Sequence, residues 1–442
     1  MVTRRNLLAG TAALGAAGAL AACSPSASNS KSGGSKGDGT ALTLRIWDDV
    51  AKPAYEESLK AFTEKTGIEV SIDVVPWDNY WTRLPLDVAG DSAPDVFWLN
   101  SASYTQLQQS GHLVNISETL GADAASSWEK AVVDLYTRDG ALWGVPQLWD
   151  SIALLFNKKL CDEAGVDPTA LTFNTGADTD PLREAAKKLT ADKDGKKPGE
   201  QGFNPDARES FGFNSAADRQ AIIGPFLASN GAGWQEDDAY VFASEQGVAV
   251  FQYLADLVNK DQVAPSAADT NANGDFARDL FIQGKLGLFQ TGPYALSAVS
   301  EGVADSFEWG VAPIVGGPSG RKSLVHGVVA AGAAKSKNQD GIKQLLEWLG
   351  TAEGQKPIGE KGIGFPGHTD AQQAYVDFWK SKQVDVQQFI EAAKEPAPAD
   401  TGAKALAGLQ AVMPIFQQVF AGQVSAADGI PQAQKDGNDA MK

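Results

Sequence analysis

Two hydrophobic periods alternate along the chain. Residues 42–47 form a short apolar run, a strand candidate. Ile68, Val70, Ile72 and Val74 alternate with polar neighbours, the period of a half-buried strand. Between them Tyr55, Leu59 and Phe62 recur at i, i+4 and i+7, one face of a helix. Gly67 stands where a helix C′ residue belongs. Trp77-Asp78-Asn79-Tyr80-Trp81 opens a further helix, and residues 95–99 (DVFWL) read as a buried strand. Asn100-Ser101 ends that strand and can cap the helix running toward Gly111. Strands alternating with helices predict a parallel, doubly wound sheet. In such sheets ligands bind beyond the carboxyl ends of the strands, which places Asp48, Asp49, Trp77, Asp78, Asn100 and Ser101 on one rim.

The same patterns recur downstream. Phe251, Leu254, Ala255 and Val258 mark a helix, and Ile342, Leu345, Leu346 and Leu349 another. Residues 286–289 are a strand candidate ending at Thr291-Gly292-Pro293-Tyr294, and residues 405–420 are helical. Residues 192–203 (DKDGKKPGEQGF) read as a surface loop. The chain has no internal repeat.

The amino-terminus does not follow these periods. Arg4 and Arg5 form a positive head, residues 7–20 an apolar or small-residue run, and Leu20-Ala21-Ala22-Cys23 a small-residue cleavage site. Residues 1–22 thus read as a secretory signal, too short and Gly-rich to span a membrane. The paired arginines point to the twin-arginine route. Residues 24–40 contain ten Ser or Gly in 17 positions, a flexible tether with a reach of roughly 20–25 Å.

Composition narrows the function classes. The 442 residues include 55 acidic and 37 basic side chains, a formal charge of −18. Removal of residues 1–22 leaves 35 basic against 55 acidic residues, or −20. Such a chain is a poor electrostatic match for nucleic acid. The length predicts roughly two to three domains. With Cys23 at the cleavage site, Cys161 is the other thiol, in a setting that suits a small packed hydrophobe, so a disulfide framework is excluded.

The motifs that could carry chemistry mostly fail on context. Gly362-Ile363-Gly364-Phe365-Pro366-Gly367 matches G-x-G-x-x-G, yet a helical polar segment precedes it, so it reads as a glycine-rich crossover loop. Residues 316–323 (GGPSGRKS) put Arg321 where a P-loop needs its second Gly. Asp269-x-Asn271-x-Asn273-Gly274 begins like a calcium loop, but position twelve is Leu280 rather than a carboxylate. His112, His326 and His368 lack metal-ligand spacing, and no cofactor, metal or catalytic group is expected.

Aromatic residues beside carboxylates carry more. Trp47, Trp77, Trp98 and Trp149 stand at strand ends, Trp47 and Trp98 with the pattern of core residues. Trp77 and Trp149 adjoin Asp78 and Asp150. An aromatic face stacks on the C–H face of a pyranose while a carboxylate accepts from its hydroxyls. Paired carboxylates such as Asp48, Asp49 and Asp150 could also serve a glycosidase. Arg is scarce and scattered, which favours a neutral ligand over a phosphorylated one.

Several ordered features then carry a resemblance. They are Leu44-Arg45-Ile46-Trp47-Asp48-Asp49, Phe62-Thr63-Glu64-Lys65-Thr66-Gly67-Ile68 and Ala93-Pro94-Asp95-Val96-Phe97-Trp98. Gly144-Val145-Pro146, Phe156-Asn157-Lys158, Gly284-Lys285, Gly292-Pro293-Tyr294 and Ala352-Glu353-Gly354 complete the set. Over residues 42–442 the chain resembles the family 1 extracellular solute-binding proteins of carbohydrate ABC transporters, of maltose-binding type. The end of the signal resembles a lipobox, which implies that Cys23 carries a diacylglycerol anchor on the outer face of the cell membrane.

The resemblance implies an α/β, two-lobed periplasmic-binding-protein type II fold, with a central, mostly parallel sheet in each lobe and a hinge of crossing strands. The expected divisions are a signal (1–22), a lipid-anchored tether (23–40), one lobe of 41–149 plus 314–362, and another of 150–313 plus 363–442. The implied ligand contacts are Asp48, Asp49, Trp77, Asp78, Tyr80, Asn100, Ser101, Trp149, Asp150, Tyr294, His326 and Phe365. Tyr294 replaces the stacking Trp of the usual Gly-Pro-Trp. The implied function is capture of a neutral di- or oligosaccharide by a monomer that delivers it to a membrane permease and its ATPase. Alternatives are a glycerol phosphodiester or peptide receptor, and an anchored carbohydrate-active enzyme.

Overall fold

Two separate sheets organise the chain. The computed structural model describes residues 41–90, 92–397 and 399–442. The signal, Cys23, the tether and the side chain of Asp78 lie outside the described residues.

The first sheet has six strands in the spatial order Phe365–Pro366, Val145–Asp150, His326–Gly332, Val96–Leu99, Leu42–Ile46 and Val70–Val74. Leu42, Leu44 and Ile46 are buried because strand Leu42–Ile46 lies between two neighbours under a helix. That helix, Lys52–Thr66, buries Tyr55, Leu59 and Phe62, the periodic face read from the sequence. It stops at Gly67, whose φ of 76° is the left-handed conformation that glycine adopts without a Cβ clash. Asp95 stitches this sheet at the end of the strands remote from the crossings. Its carboxylate accepts from the Thr43 amide at 2.9 Å and from the Ser336 hydroxyl at 2.6 Å.

The second sheet has five strands in the order Trp309–Ala312, Ala153–Asn157, Leu286–Thr291, Arg208–Phe213 and Ala191–Asp192. All six residues of Leu286–Thr291 are buried, as expected of a central strand covered on both faces. Helix Glu245–Asn259 packs here with the C-terminal helices Ala405–Phe420 and Ala426–Met441. Phe251 and Phe416 meet with ring centroids 4.7 Å apart in their shared core. Cys161 is also buried in this core, and burial pushes its thiol up to about 12.

Both sheets are mixed rather than mostly parallel. In the first, the pairs made by Leu42–Ile46 are parallel, whereas those made by Val145–Asp150 and His326–Gly332 are antiparallel. The parallel part is local β-α-β sequence. The antiparallel part is built around His326–Gly332, which returns from the other lobe and inserts between Val145–Asp150 and Val96–Leu99, a pairing that the local pattern does not encode.

Three crossings join the lobes. The first is residues 151–152, between Val145–Asp150 and Ala153–Asn157. The second follows Trp309–Ala312 and leads to His326–Gly332. The third departs from the expectation of a division near Ile363. Phe365–Pro366 pairs with Val145–Asp150 in the first sheet, and helix Gln372–Ser381 packs on Ala352–Glu360. The chain crosses only around Pro396–Ala397, which pairs in parallel with Ser323–Leu324 of the second crossing. The Ser323 hydroxyl accepts from the Ile152 amide at 2.6 Å, and the Ser151 hydroxyl donates to the Phe389 carbonyl at 2.6 Å. All three crossings are thereby tied into one hinge.

Candidate functional site

The rims of both sheets converge at the hinge. Trp47 and Asn100 follow parallel strands of the first sheet, and Asp150 and His326 pair at the same end. In the second sheet Asn214 and Thr291 stand at the ends of adjacent parallel strands, and Thr291 pairs with Ala153. The two-residue connection 151–152 keeps these rims adjacent at the hinge. The crevice rule for open α/β sheets therefore selects the space between them.

Asp150 and Gln220 bridge that space. The Asp150 carboxylate accepts a hydrogen bond from the Gln220 Nε2 amide at 3.0 Å. Burial raises the Asp150 carboxyl to about 7, against the opposing effect of that bond. Gln220 sits on a π-helical turn, Arg219–Ile223, a rare geometry common at functional sites. Asp218 holds the turn, accepting from the amides of Gln220 and Ala221 at 2.8 and 2.9 Å.

His326 adjoins Asp150 across the ladder, where a bulge between Val328 and Val329 shifts the register. Its Nε2 has no hydrogen-bond partner among the described residues. Burial pushes the imidazole down to about 4, with Asp400 opposing and Arg219 adding to the fall. The ring is therefore neutral at pH 7. The Arg219 guanidinium lies 3.8 Å from the centre of the Trp234 ring and 3.4 Å from the Asp400 carboxylate. Asp400 also accepts from the Trp234 indole at 2.7 Å. This cationic charge is already neutralised, so the site has no strong pull on a phosphate.

Tyr294 closes the second-lobe side. Its ring folds over Gly292, whose hypothetical Cβ would lie 2.2 Å from it, and the residue remains 53% exposed. The phenol interacts electrostatically with Asp218 and Asp150. On the first lobe Trp47 packs edge-on against Trp77 at 5.4 Å and Trp98 at 4.8 Å. Trp77 is 49% exposed, an aromatic face available to a ligand. Asp48 accepts from the Val50 amide at 2.9 Å, and Asp49 beside it is exposed. Burial pushes the Asp48 carboxyl up.

Four expected contacts belong elsewhere. Tyr80 is fully buried, and its hydroxyl donates to the Trp98 carbonyl at 2.9 Å. Trp149 is buried, stacked on the equally buried Phe365 at 4.7 Å, with its indole donating to the Pro366 carbonyl. Strand alternation points Trp149 away from the face of Asp150, and Phe365 stacks on it, whereas Tyr80 is buried from helix Trp77–Ala89. Ser101 is buried in the first turn of Ser101–Gln109. Asn100 precedes that helix without capping it, and its Oδ1 is buried with no hydrogen-bond partner among the described residues.

Sequence reasoning missed Asp218, Arg219, Gln220, Trp234 and Asp400. The strand-end rule would have found Asp218–Gln220 had residues 208–213 been read as a strand. Asp400 carries no local signal. No cluster of His, Cys, Asp or Glu able to hold a metal occurs among the described residues, and the calcium-like stretch forms parts of two helices, Ala267–Ala272 and Phe276–Ile282. None of the described helices is long and apolar enough to cross a membrane.

Comparison with known proteins agrees with this architecture. Residues 48–356 match the profile of the bacterial extracellular solute-binding proteins. The structure is similar to that of UspC from M. tuberculosis, at 39% identity and a TM-score of 0.80, covering 90% of this chain and 100% of that one. An ABC substrate-binding protein from Listeria monocytogenes, solved with cycloalternan, shares the fold at 20% identity and a TM-score of 0.76, covering 91% and 99%. A maltooligosaccharide ABC transporter solute-binding lipoprotein of Streptococcus pneumoniae (strain ATCC BAA-255 / R6) is 23% identical over 359 residues, 80% of this chain and 78% of the relative.

Proposed function

This chain belongs to the bacterial extracellular solute-binding protein family, and we propose that it captures a neutral di- or oligosaccharide between its lobes and delivers it to an ABC importer. The observation that carries this reading is the meeting of Asp150 with Gln220 beside the exposed ring of Tyr294. A carboxylate and an amide supply acceptors and donors for hydroxyls, and the rings of Tyr294 and Trp77 supply faces for pyranose C–H groups. The named sugar ligands of the relatives support the same class. Closure of the lobes removes water and strengthens each hydroxyl bond. A micromolar affinity requires about −8 kcal/mol, within reach of a few stacked rings and several hydrogen bonds.

The ligand is released to a permease and ATPase rather than turned over. Neutralisation of Arg219 by Asp400 argues against a glycerol phosphodiester. The protein acts as a monomer, anchored outside the cell membrane through Cys23. A thermal-shift screen of neutral oligosaccharides, phosphorylated solutes and peptides tests the ligand class. A shift with a neutral sugar, followed by calorimetry and a product assay that finds no cleavage, is the expected result. A response to phosphodiesters or peptides alone overturns it. Cys23→Ala is expected to release the protein into the medium; unchanged membrane retention would remove the anchor.

A further inference from the structure

Two short hairpins meet across the lobe boundary. Thr137–Arg138 pairs with Ala141–Leu142 in the first lobe, and Gln235–Glu236 pairs with Ala239–Tyr240 in the second. The Arg138 guanidinium lies 3.6 Å from the Asp238 carboxylate at the opposing turn. The pairs Arg45–Asp73 and Arg183–Asp261 each lie within one lobe, whereas Arg138–Asp238 joins the two.

Each end is held by its own lobe. In the first, the Arg138 carbonyl accepts from the Trp143 indole at 3.1 Å, and the Ser117 hydroxyl accepts from the Leu142 amide at 3.0 Å. In the second, the Gln235 carboxamide donates to the Thr401 carbonyl at 2.8 Å and accepts from the Thr401 amide at 3.2 Å. Asp238 rests against Gly402, whose φ is 104° and whose hypothetical Cβ would lie 2.5 Å from the Asp238 Oδ1. A side chain there would be strained and would displace the carboxylate. Both hairpins turn through an Asp in the left-handed region, Asp139 at φ 54° and Asp237 at φ 51°. The two charges are thus presented by stiff elements, so their separation follows the movement of the lobes.

The space around the pair is not packed. A cavity of about 480 Å³ lies between the hairpins, bounded by Val325 and Pro396 of the second and third crossings. Asp134 lines it from the first lobe and Asp237 from the second. Arg138 stands as a cation between carboxylates of both lobes, and its loss leaves like charges facing across the gap. A packed apolar contact would lock the lobes by shape. An ion pair spanning a gap lets them rotate, and salt weakens it. With exposures of 26% and 60% the pair adds little to global stability, but a lobe equilibrium close to balance responds to a small term.

We propose that Arg138–Asp238 is an interlobe strut that holds the lobes at the angle described here and makes that angle depend on ionic strength. Any rotation about the hinge changes the distance between two residues fixed in different lobes. The inference does not depend on which solute is bound. It implies that apparent affinity is tuned by a pair distinct from the proposed ligand contacts.

Spin labels at Lys60→Cys and Lys260→Cys, exposed positions on the two lobes, read the interlobe distance of the ligand-free protein by pulsed dipolar spectroscopy. The chain carries Cys23→Ala, and Cys161 is buried, so the two introduced thiols take the label. Arg138→Glu and Asp238→Arg are each expected to shift the ratio of lobe populations by about threefold or more. Raising NaCl from about 0.01 to 1 M shortens the screening length from about 30 to 3 Å and is expected to move wild type the same way. The double exchange of Arg138→Glu with Asp238→Arg is expected to restore the wild-type ratio to within about twofold. Arg138→Gln, which removes the charge alone, serves if a reversal does not fold. Single variants or high salt that leave the distances unchanged, or a double exchange that does not restore them, overturn the strut.

Discussion

The Asp150 carboxylate of the first lobe and the Gln220 amide of the second share a hydrogen bond of 3.0 Å at the hinge. Both groups are of the kind that bonds sugar hydroxyls, and the bond reports how near the two rims stand. Asp150→Ala removes the acceptor and leaves Gln220 in place. Sugar affinity is expected to fall at least tenfold, about 1.4 kcal/mol, by calorimetry. A change below about threefold would take Asp150 out of the binding site.

The same residue sets a pH dependence, and His326 sets an opposing one. The Asp150 carboxyl is raised to about 7 by burial, so its contribution to stability is full below the ordinary carboxylate range and is lost as pH rises through about 7. The His326 imidazole is lowered by burial from 6.5 to about 4, so its contribution is full above 6.5 and is lost as pH falls through about 4. Melting temperature measured against pH is expected to decline from about pH 6 to pH 8 in wild type, and less so in Asp150→Asn. His326→Gln removes the opposing slope and is expected to extend the decline down to about pH 4. Identical profiles for all three proteins would exclude these two groups as its source.

Trp149 and Tyr294 are expected to separate stability from binding. Trp149 is 2% exposed and stacked on Phe365, so Trp149→Ala leaves a cavity and should cost about 3–5 kcal/mol in denaturant unfolding. Tyr294 stands 53% exposed at the crevice, so Tyr294→Ala should leave unfolding within about 1 kcal/mol of wild type while weakening sugar binding about tenfold. The opposite assignment of effects would show that the stacking face lies elsewhere.

Arg219 anchors the second-lobe wall. Its pair with Asp400 is buried on both sides, with side-chain exposures of 9% and 6%. Arg219→Met leaves the Asp400 charge with the Trp234 indole as its remaining described partner, and is expected to destabilise the protein by about 3–5 kcal/mol. Adding Asp400→Asn removes the orphaned charge and should restore part of that loss. Equal unfolding midpoints for the single and double variants would mean that Asp400 is not the charge Arg219 compensates.

Local patterns in the chain were sufficient for much of the architecture. The period of Tyr55, Leu59 and Phe62 gave the buried face of Lys52–Thr66, and Gly67 its end, because helix periodicity and a left-handed cap are short-range properties. The strand-end rule put Trp77 and Asp48 near the crevice rim for the same reason. Alternation could also have separated Asp150 from Trp149, since neighbours on a strand point to opposite faces. Aromatic character alone does not distinguish a stacking face from a packed ring: it drew Trp149 into the site, and the resemblance drew Tyr80 and Phe365, where burial places all three in the core.

The sequence by itself determined the first strands and helices of the chain and a solute-binding class of fold carried by ordered short motifs. Only the tertiary structure decided which rims face each other. Asp150 and Gln220 are 70 residues apart, and Arg219 meets Asp400 across a still longer stretch of chain. Such pairs form because the crossings of the hinge bring distant segments of chain together, and no local period encodes where a distant segment returns.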